Sequence, residues 1–207
     1  MLGDGGRAFS EFAAKEPLPL ATINDAILEF LHNREDAVLA GGQAVNAYVD
    51  EPRMTRGVDI QSTRAAGLAD QLRGHLAQVF SITVRVREVA EGSGFLLFQP
   101  TEPKSRQLAD LRQVERLPPN RRIEGIRIVE PADLIAQKVV ACLRRVGRPN
   151  GLTDRRDVAS LLLHFPDLKR HPGPVDDRLQ ALGAGSAVLE IWKEIVASDI
   201  LPEDDGD

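Results

Sequence analysis

The sequence has few of the residues from which many functional sites are built. It contains one cysteine, Cys142, so an internal disulfide and a cysteine-rich zinc site are both excluded. Its four histidines lie far apart, without cysteine or carboxylate at ligand spacing, which argues against a zinc site or histidine-based catalysis. The apolar runs, such as Leu161–Leu163, are too short to span a bilayer, so we expect no membrane partner.

Composition and charge indicate a globular protein. With 207 residues, 43% of them hydrophobic and 28% charged, the chain can bury one core. Its net charge of -5 does not draw the whole molecule to nucleic acid or to an anionic membrane. Arginines nevertheless crowd residues 106–156, so a local phosphate-binding face stays open. Residues 1–6 carry an acid where a signal peptide has lysine or arginine, and we expect a cytoplasmic protein.

Hydrophobic periodicity predicts an α+β fold. We expect a mixed-sheet core with flanking helices over residues 17–130, then a helical lobe packed on it over 131–200, with 1–16 and 201–207 flexible. Strands are predicted at 37–40, 58–62, 82–89, 94–99, 107–114 and 126–129. Helices are predicted from Thr22 and at 43–49, 65–80, 131–142, 154–164, 176–182 and 186–197.

Two adjacent glycines stand where the first strand meets a helix. Gly41 and Gly42 let the backbone approach an anion closely, and the helix that begins there points free amides at a phosphate. The alternative is that the pair only makes a tight connection.

Two carboxylates occupy predicted strands. Asp59 alternates with apolar residues, and Asp110 lies within another strand. A charge inside a strand must face solvent or be held by a cation or by hydrogen bonds. If both strands belong to one sheet and both acids share a face, they can bind Mg²⁺, which prefers oxygen ligands. The alternative is that each acid lies on a solvated face.

The ordered set of motifs resembles the AbiEii-type nucleotidyltransferases of the DNA polymerase beta-like superfamily. The matching residues, over roughly 38–163, are Gly41, Gly42, Arg53, Thr55, Asp59, Asp110, Lys138, Arg145, Asp154 and Asp157. The resemblance implies a nucleotidyltransferase-type mixed sheet and a helix that presents an inward lysine.

The resemblance also implies an activity. It assigns catalysis and metal binding to Asp59 and Asp110, with Mg²⁺ or Mn²⁺ as the cofactor. It assigns nucleotide binding to Gly41, Gly42, Arg53, Thr55 and Lys138. The implied reaction transfers a nucleotide from an NTP to a hydroxyl of RNA, with a tRNA-like acceptor as one candidate, or of a protein. A toxin role with a cognate antitoxin follows from the same family.

One position departs from the family. The family places an acid two residues before Asp59, where this chain has Gly57, and glycine has no side chain to ligate a metal. Loss of a shared carboxylate weakens charge neutralisation in a two-metal phosphoryl-transfer site. The alternative function is therefore a catalytically degenerate nucleotidyltransferase-fold protein that acts as a nucleotide-binding or protein-interaction module.

Several other polar residues allow two interpretations. Lys138 is either an inward ammonium that meets a phosphate or a surface lysine that lies along apolar neighbours. Arg85 and Arg87 either form a basic wall for a nucleic-acid acceptor or lie on a solvated strand face. Asp154 and Asp157 are expected to be structural, as helix caps or as partners of nearby arginines.

Overall fold

A computed structural model describes residues 18–89 and 91–202 of the chain. Flexible ends were predicted at residues 1–16 and 201–207. Residues 1–16 and 203–207 lie outside the described ranges. In the described part, no helix has the length and apolar character that crossing a membrane requires.

Seven strands and seven α-helices make up the described chain. The strands are β1 (Ala37–Ala40), β2 (Val58–Ser62), β3 (Arg85–Val89), β4 (Gly94–Gln99), β5 (Arg106–Gln113), β6 (Asn120–Ile123) and β7 (Ile126–Val129). The helices are α1 (Leu20–Leu31), α2 (Gly41–Asn46), α3 (Ala65–Phe80), α4 (Pro131–Arg144), α5 (Pro149–His164), α6 (Pro174–Ala181) and α7 (Ser186–Ala197). A 3₁₀ turn at Pro166–Leu168 follows α5.

All seven strands form one mixed sheet in the order β3-β4-β5-β2-β1-β7-β6. The central pairs β2 with β5 and β1 with β7 are parallel, whereas the remaining neighbours are antiparallel. The predicted fold class is therefore confirmed. A parallel pair brings equivalent residues of two distant segments side by side, and the β2–β5 pair is where both predicted strand acids lie.

Helix α3 lies against strands β2 to β5 and packs with α1. Its buried stripe repeats every fourth residue, at Leu68, Leu72 and Leu76, as an amphipathic helix requires. Val79, one residue before the end of the helix, is 52% exposed, so the buried stripe ends at Leu76. The other face of the sheet receives the short helix α2 and then the helical segment that begins at Pro131.

The helical segment is organised around α4, which packs against α5, α6 and α7. Its buried residues belong to the same apolar cluster as those of the sheet, so the core is continuous across residue 130. The predicted division into a core over residues 17–130 and a helical lobe over 131–200 stays a prediction. Trp192 of α7 is fully buried, and its indole Nε1 donates a 3.2 Å hydrogen bond to Asp176 of α6.

Some boundaries differ from those predicted. Strand β3 begins at Arg85 rather than at residue 82, helix α1 begins at Leu20, and α5 extends back to Pro149. Strand β6 was not predicted, because Asn120–Ile123 is mostly polar and has no apolar alternation; its pairing with β7 makes it a strand. Helix α2 begins on Gly41 itself rather than two residues later.

Candidate functional site

The carboxylates of Asp59 and Asp110 lie side by side. The two residues are register partners in the parallel pair β2–β5, so their side chains project from the same face of the sheet. Desolvation by the surrounding protein, and then the negative charge of Asp110, raise the pKa of Asp59. The charges of Lys138 and Arg112 oppose that rise. The Asp59 side chain still reaches water through the mouth of a cavity, so the pair is an accessible concentration of negative charge.

The two glycines hold Asp59 in place. Gly41 has a φ of +62°, a left-handed conformation that L side chains rarely adopt, and a Cβ atom there would overlap the Asp59 carboxylate. The backbone N–H of Gly42 lowers the pKa of the same carboxyl, against the larger raising effects of desolvation and Asp110. The turn therefore both allows the close approach and orients the acid. Phosphate binding by these glycines stays a prediction.

A cavity of about 370 Å³ opens over the two acids, between the sheet and helices α4 and α5. Its size is in the range of small-molecule sites, about 300 to 1,000 Å³. Its basic lining residues are Arg112, which lies beside the acids on β5, and Lys138, Arg144 and Arg145 of the helical segment. The cavity thus pairs a negative floor with a positive wall, an arrangement suited to a cation and to the phosphates that the cation accompanies.

Arg112 belongs to this cavity, although the sequence reasoning did not select it. It lies two residues after Asp110 on β5 and is exposed, so its guanidinium projects from the same face as the acid. The predicted strand that contains Asp110 also contains Arg112, and spacing by two along a strand places both on one face. Gln61 of β2 donates a 3.0 Å hydrogen bond to Gln137 of α4, which links the sheet to the helix that lines the cavity.

Lys138 lines the cavity and also pairs with two buried carboxylates. Its Nζ lies 3.0 Å from an oxygen of Asp154 and 2.7 Å from an oxygen of Asp157. Arg145 donates to Asp154 at 2.8 Å, and Arg53 donates twice to Asp157 at 2.6 and 2.7 Å. These five residues, here called the charge network, place three cations around two carboxylates. A phosphate that bound Lys138 would therefore share its ammonium group with Asp154 and Asp157.

Arg53 and Thr55 lie behind the glycine turn. A Cβ atom on Gly42 would come within 2.9 Å of the Arg53 guanidinium and 3.0 Å of the Thr55 methyl group. The Thr55 hydroxyl accepts a 2.9 Å hydrogen bond from Gln43, and Asn46 bonds the Arg53 backbone at both polar atoms. Both residues therefore brace the loop against α2. Their predicted contact with the nucleotide stays a prediction.

The two helix aspartates confirm their predicted structural role. Asp154 is 2% and Asp157 1% exposed, and Arg145 was among the expected partners. Neither residue caps a helix, because both lie inside α5. Lys138 and Arg53 are partners that the spacing along the chain does not reveal.

The stability of the charge network should depend on pH. Desolvation alone would raise the pKa of Asp157, but hydrogen bonds and charges of Arg53 and Lys138 outweigh it and lower that pKa. Such a carboxylate stabilises the fold above its unfolded pKa of about 3.9, and the contribution is lost as the pH falls through the folded pKa.

We therefore compare the wild type with Asp157→Asn by urea denaturation at several pH values. The difference in free energy of unfolding is expected to be constant from about pH 7 to pH 5 and to shrink below about pH 4. A difference that stays constant down to about pH 3 would contradict the assignment.

Position 57 has no room for the acid that the family places there. A Cβ atom on Gly57 would lie 2.9 Å from the backbone oxygen of Leu108 on the neighbouring strand, closer than real Cβ contacts. Among residues 18–89 and 91–202, no three His, Cys, Asp or Glu side chains cluster as a metal site. The glycine is thus part of how this sheet is packed, and the site has two acids.

Gly57→Asp should consequently fail to restore a metal ligand. The new side chain must push β2 away from β5, so we expect a loss of about 1–3 kcal/mol in the free energy of unfolding and no gain in Mg²⁺ affinity. Chemical denaturation and Mg²⁺ titration by calorimetry measure both quantities, with Gly67→Asp as the control because nothing lies within 4 Å of its Cβ position. Tighter Mg²⁺ binding by Gly57→Asp would show that the strand tolerates the acid.

The two acids fit a single divalent cation. Carboxylate oxygens are the ligands that Mg²⁺ prefers, and the ion usually takes one or two carboxylates with substrate phosphates and water. Desolvation, and then the neighbouring charge of Asp110, make the Asp59 carboxylate costly and raise its pKa. A cation between Asp59 and Asp110 would remove that cost.

No protein-family model matches the chain, and no curated protein matches it. Among solved structures, the Megavirus polyadenylate synthase matches with a TM-score of 0.56 and 13% identity over 74% of this chain and 33% of the synthase. JHP933 from Helicobacter pylori matches with a TM-score of 0.51 and 14% identity over 85% of this chain and 87% of that protein. The antibiotic-resistance factor ANT(2'')-Ia matches with a TM-score of 0.49 and 17% identity over 84% of this chain and 95% of that protein.

At these identities the comparisons show the fold. The chain spans about a third of the length of the Megavirus synthase. The AbiEii subfamily stays a prediction. The chain has the nucleotidyltransferase fold.

Proposed function

We propose that the protein is a nucleotidyltransferase that moves a nucleotide from an NTP to a hydroxyl of an RNA or protein acceptor. The observation that carries the proposal is the pairing of Asp59 with Asp110 on the floor of a cavity whose opposite wall is basic. A divalent cation, Mg²⁺ or Mn²⁺, held by the two acids would neutralise charge on the phosphates during transfer. The likeness in fold to a polyadenylate synthase supports the same class of reaction.

The residues of the chain have separate tasks in this reaction. Arg112 and Arg144 bind and orient the triphosphate, with Lys138 and Arg145 adding positive charge from the edge of the charge network. The acceptor hydroxyl oxygen forms a bond to the α-phosphorus, and the bond from that phosphorus to the bridging oxygen of the β-phosphate breaks. Pyrophosphate leaves, and the hydroxyl proton passes to solvent. Positioning and charge stabilisation therefore supply most of the catalysis.

A second function is favoured by Gly57. With two acids and no room for a third at that position, the protein could bind an NTP without transferring its nucleotide. It would then act as a nucleotide-binding or protein-interaction module. The same cavity and the same basic residues serve this function, so binding alone does not distinguish the two.

The deciding experiment measures transfer and binding on one preparation. Purified protein is incubated with each α-labelled NTP, Mg²⁺ or Mn²⁺, and total RNA or protein, and label in the acceptor is followed while NTP affinity is measured by calorimetry. Label transfer that requires a divalent cation supports the transferase. NTP binding without transfer to either acceptor supports the module, and absence of both overturns the two functions together.

The proposal also includes a biological role, an acceptor, a partner and a location for the protein. A toxin role, a cognate antitoxin, a tRNA-like acceptor and a cytoplasmic location derive from the resemblance to AbiEii-type proteins. Transfer of label to tRNA, with growth arrest on expression that ceases when a neighbouring gene is co-expressed, would support these assignments.

A further inference from the structure

A second concave surface, outside the two-acid cavity, lies at the β3 side of the sheet. It is a groove of about 920 Å³ at strands β3, β4 and β5. The lining residues that carry the argument are Arg56, Arg87, Leu96, Phe98, Lys104 and Arg106, and together they are called the basic groove. Neither the two acids nor the charge network belongs to it.

The basic groove is aligned with the two acids. Arg87 of β3 is the register partner of Leu96 of β4, Leu96 is the partner of Asp110, and Asp110 is the partner of Asp59. The four side chains form one row across four strands on one face of the sheet. With strands about 4.8 Å apart, Arg87 lies roughly 10 Å from Asp110. A chain that occupies the groove can therefore place its end at the acids.

The groove carries positive charge that the described protein does not neutralise. Its lining includes four cations and no acid, in a chain whose net charge is -5. Within residues 18–89 and 91–202, Arg56, Arg87 and Lys104 are exposed and form no ion pair. Arg106 donates to the backbone oxygen of Leu18. Concentrated cations create a positive local potential that attracts a polyanion.

The groove also offers an aromatic ring. Phe98 is half-buried and alternates with the fully buried Leu97, so it lies on the groove face of β4. The Arg87 guanidinium lies over the Phe98 ring, 5.9 Å from its centroid. A cationic groove with an aromatic surface is how proteins bind single-stranded nucleic acid, because phosphates meet the cations and an unpaired base stacks on the ring.

We propose that the basic groove binds single-stranded nucleic acid and directs its terminal hydroxyl toward Asp110. The proposal rests on the proposed function only for the fate of that hydroxyl, which forms the bond to the α-phosphorus as pyrophosphate leaves. Binding itself depends on the groove alone. An acidic peptide would use the same cations but not the ring, and a duplex would keep its bases away from Phe98.

The test measures binding of a fluorescein-labelled single-stranded RNA by anisotropy, without NTP or divalent cation, over a series of salt concentrations. The double variant Arg87→Gln, Lys104→Gln should raise the dissociation constant roughly ten-fold or more and lower the magnitude of the salt slope by about 1.4. Phe98→Leu should weaken binding several-fold with the salt slope unchanged, because it removes stacking and no charge. The matched control is Arg73→Gln, which removes an arginine on helix α3, 48% exposed, and should change neither quantity.

Each outcome decides the proposal. Equal binding by the wild type and the groove variants, or no binding, overturns it, as does equal competition by polyglutamate or by a duplex of the same sequence. Failure here leaves the label-transfer result untouched. Conversely, RNA that binds in the groove without receiving label keeps the groove as a binding site and overturns transfer to RNA.

Discussion

Replacing Lys138 by alanine is expected to cost roughly 3 to 5 kcal/mol of the free energy of unfolding. Lys138 is 8% exposed and contacts Asp154 and Asp157, which are 2% and 1% exposed. Its removal leaves two buried carboxylates with fewer partners, and an uncompensated buried charge is far more costly than a lost surface pair. Arg53 and Arg145 remain as partial partners, which keeps the loss from being larger. Urea denaturation at neutral pH measures it.

Two further variants isolate the cause. Lys138→Met keeps most of the side-chain volume and removes the charge, so it should lose nearly as much stability as alanine. Lys193→Ala breaks an exposed pair with Glu190 on α7 and should cost less than about 1 kcal/mol. If Lys138→Ala unfolds like the wild type but binds NTP more weakly, the lysine serves the phosphate and the charge network contributes little.

This expectation reverses the one that the sequence alone supports. Helical spacing shows that Lys138 lies beside apolar neighbours, and a lysine committed to phosphate could be removed with the fold intact. Its two carboxylate partners lie 16 and 19 positions further along the chain, on another helix. Periodicity reports which face a residue occupies, and it carries no information on which distant helix packs against that face.

The acid pair shows the opposite case. The sequence places Asp59 and Asp110 on predicted strands, and parallel pairing of β2 with β5 brings them into register on one face. Strand alternation is a local property that survives folding, which is why those predictions were confirmed. Strand β6 had no such pattern, and the steric contact between Gly57 and Leu108 depends on the spacing of neighbouring backbones. Both were beyond what the sequence shows.

Replacing either acid of the pair by asparagine is expected to lower nucleotidyl transfer at least about 10²–10³-fold. Asparagine keeps the shape of the side chain and one oxygen that can accept a hydrogen bond. It removes the charge with which Asp59 and Asp110 hold a cation and face the triphosphate. Since the two acids hold the cation together, the double variant should be impaired about as much as either single variant.

The same substitutions should leave stability unchanged or raise it when no divalent cation is present. The raised pKa of Asp59 shows that its charge is held against desolvation and the charge of Asp110, so a neutral side chain relieves both costs. Mg²⁺ should raise the melting temperature of the wild type and not that of either variant. Asp70→Asn, at an acid 73% exposed on α3, should keep wild-type transfer and Mg²⁺ response. A variant that loses transfer through unfolding, or that still responds to Mg²⁺, would remove the pair from the cation site.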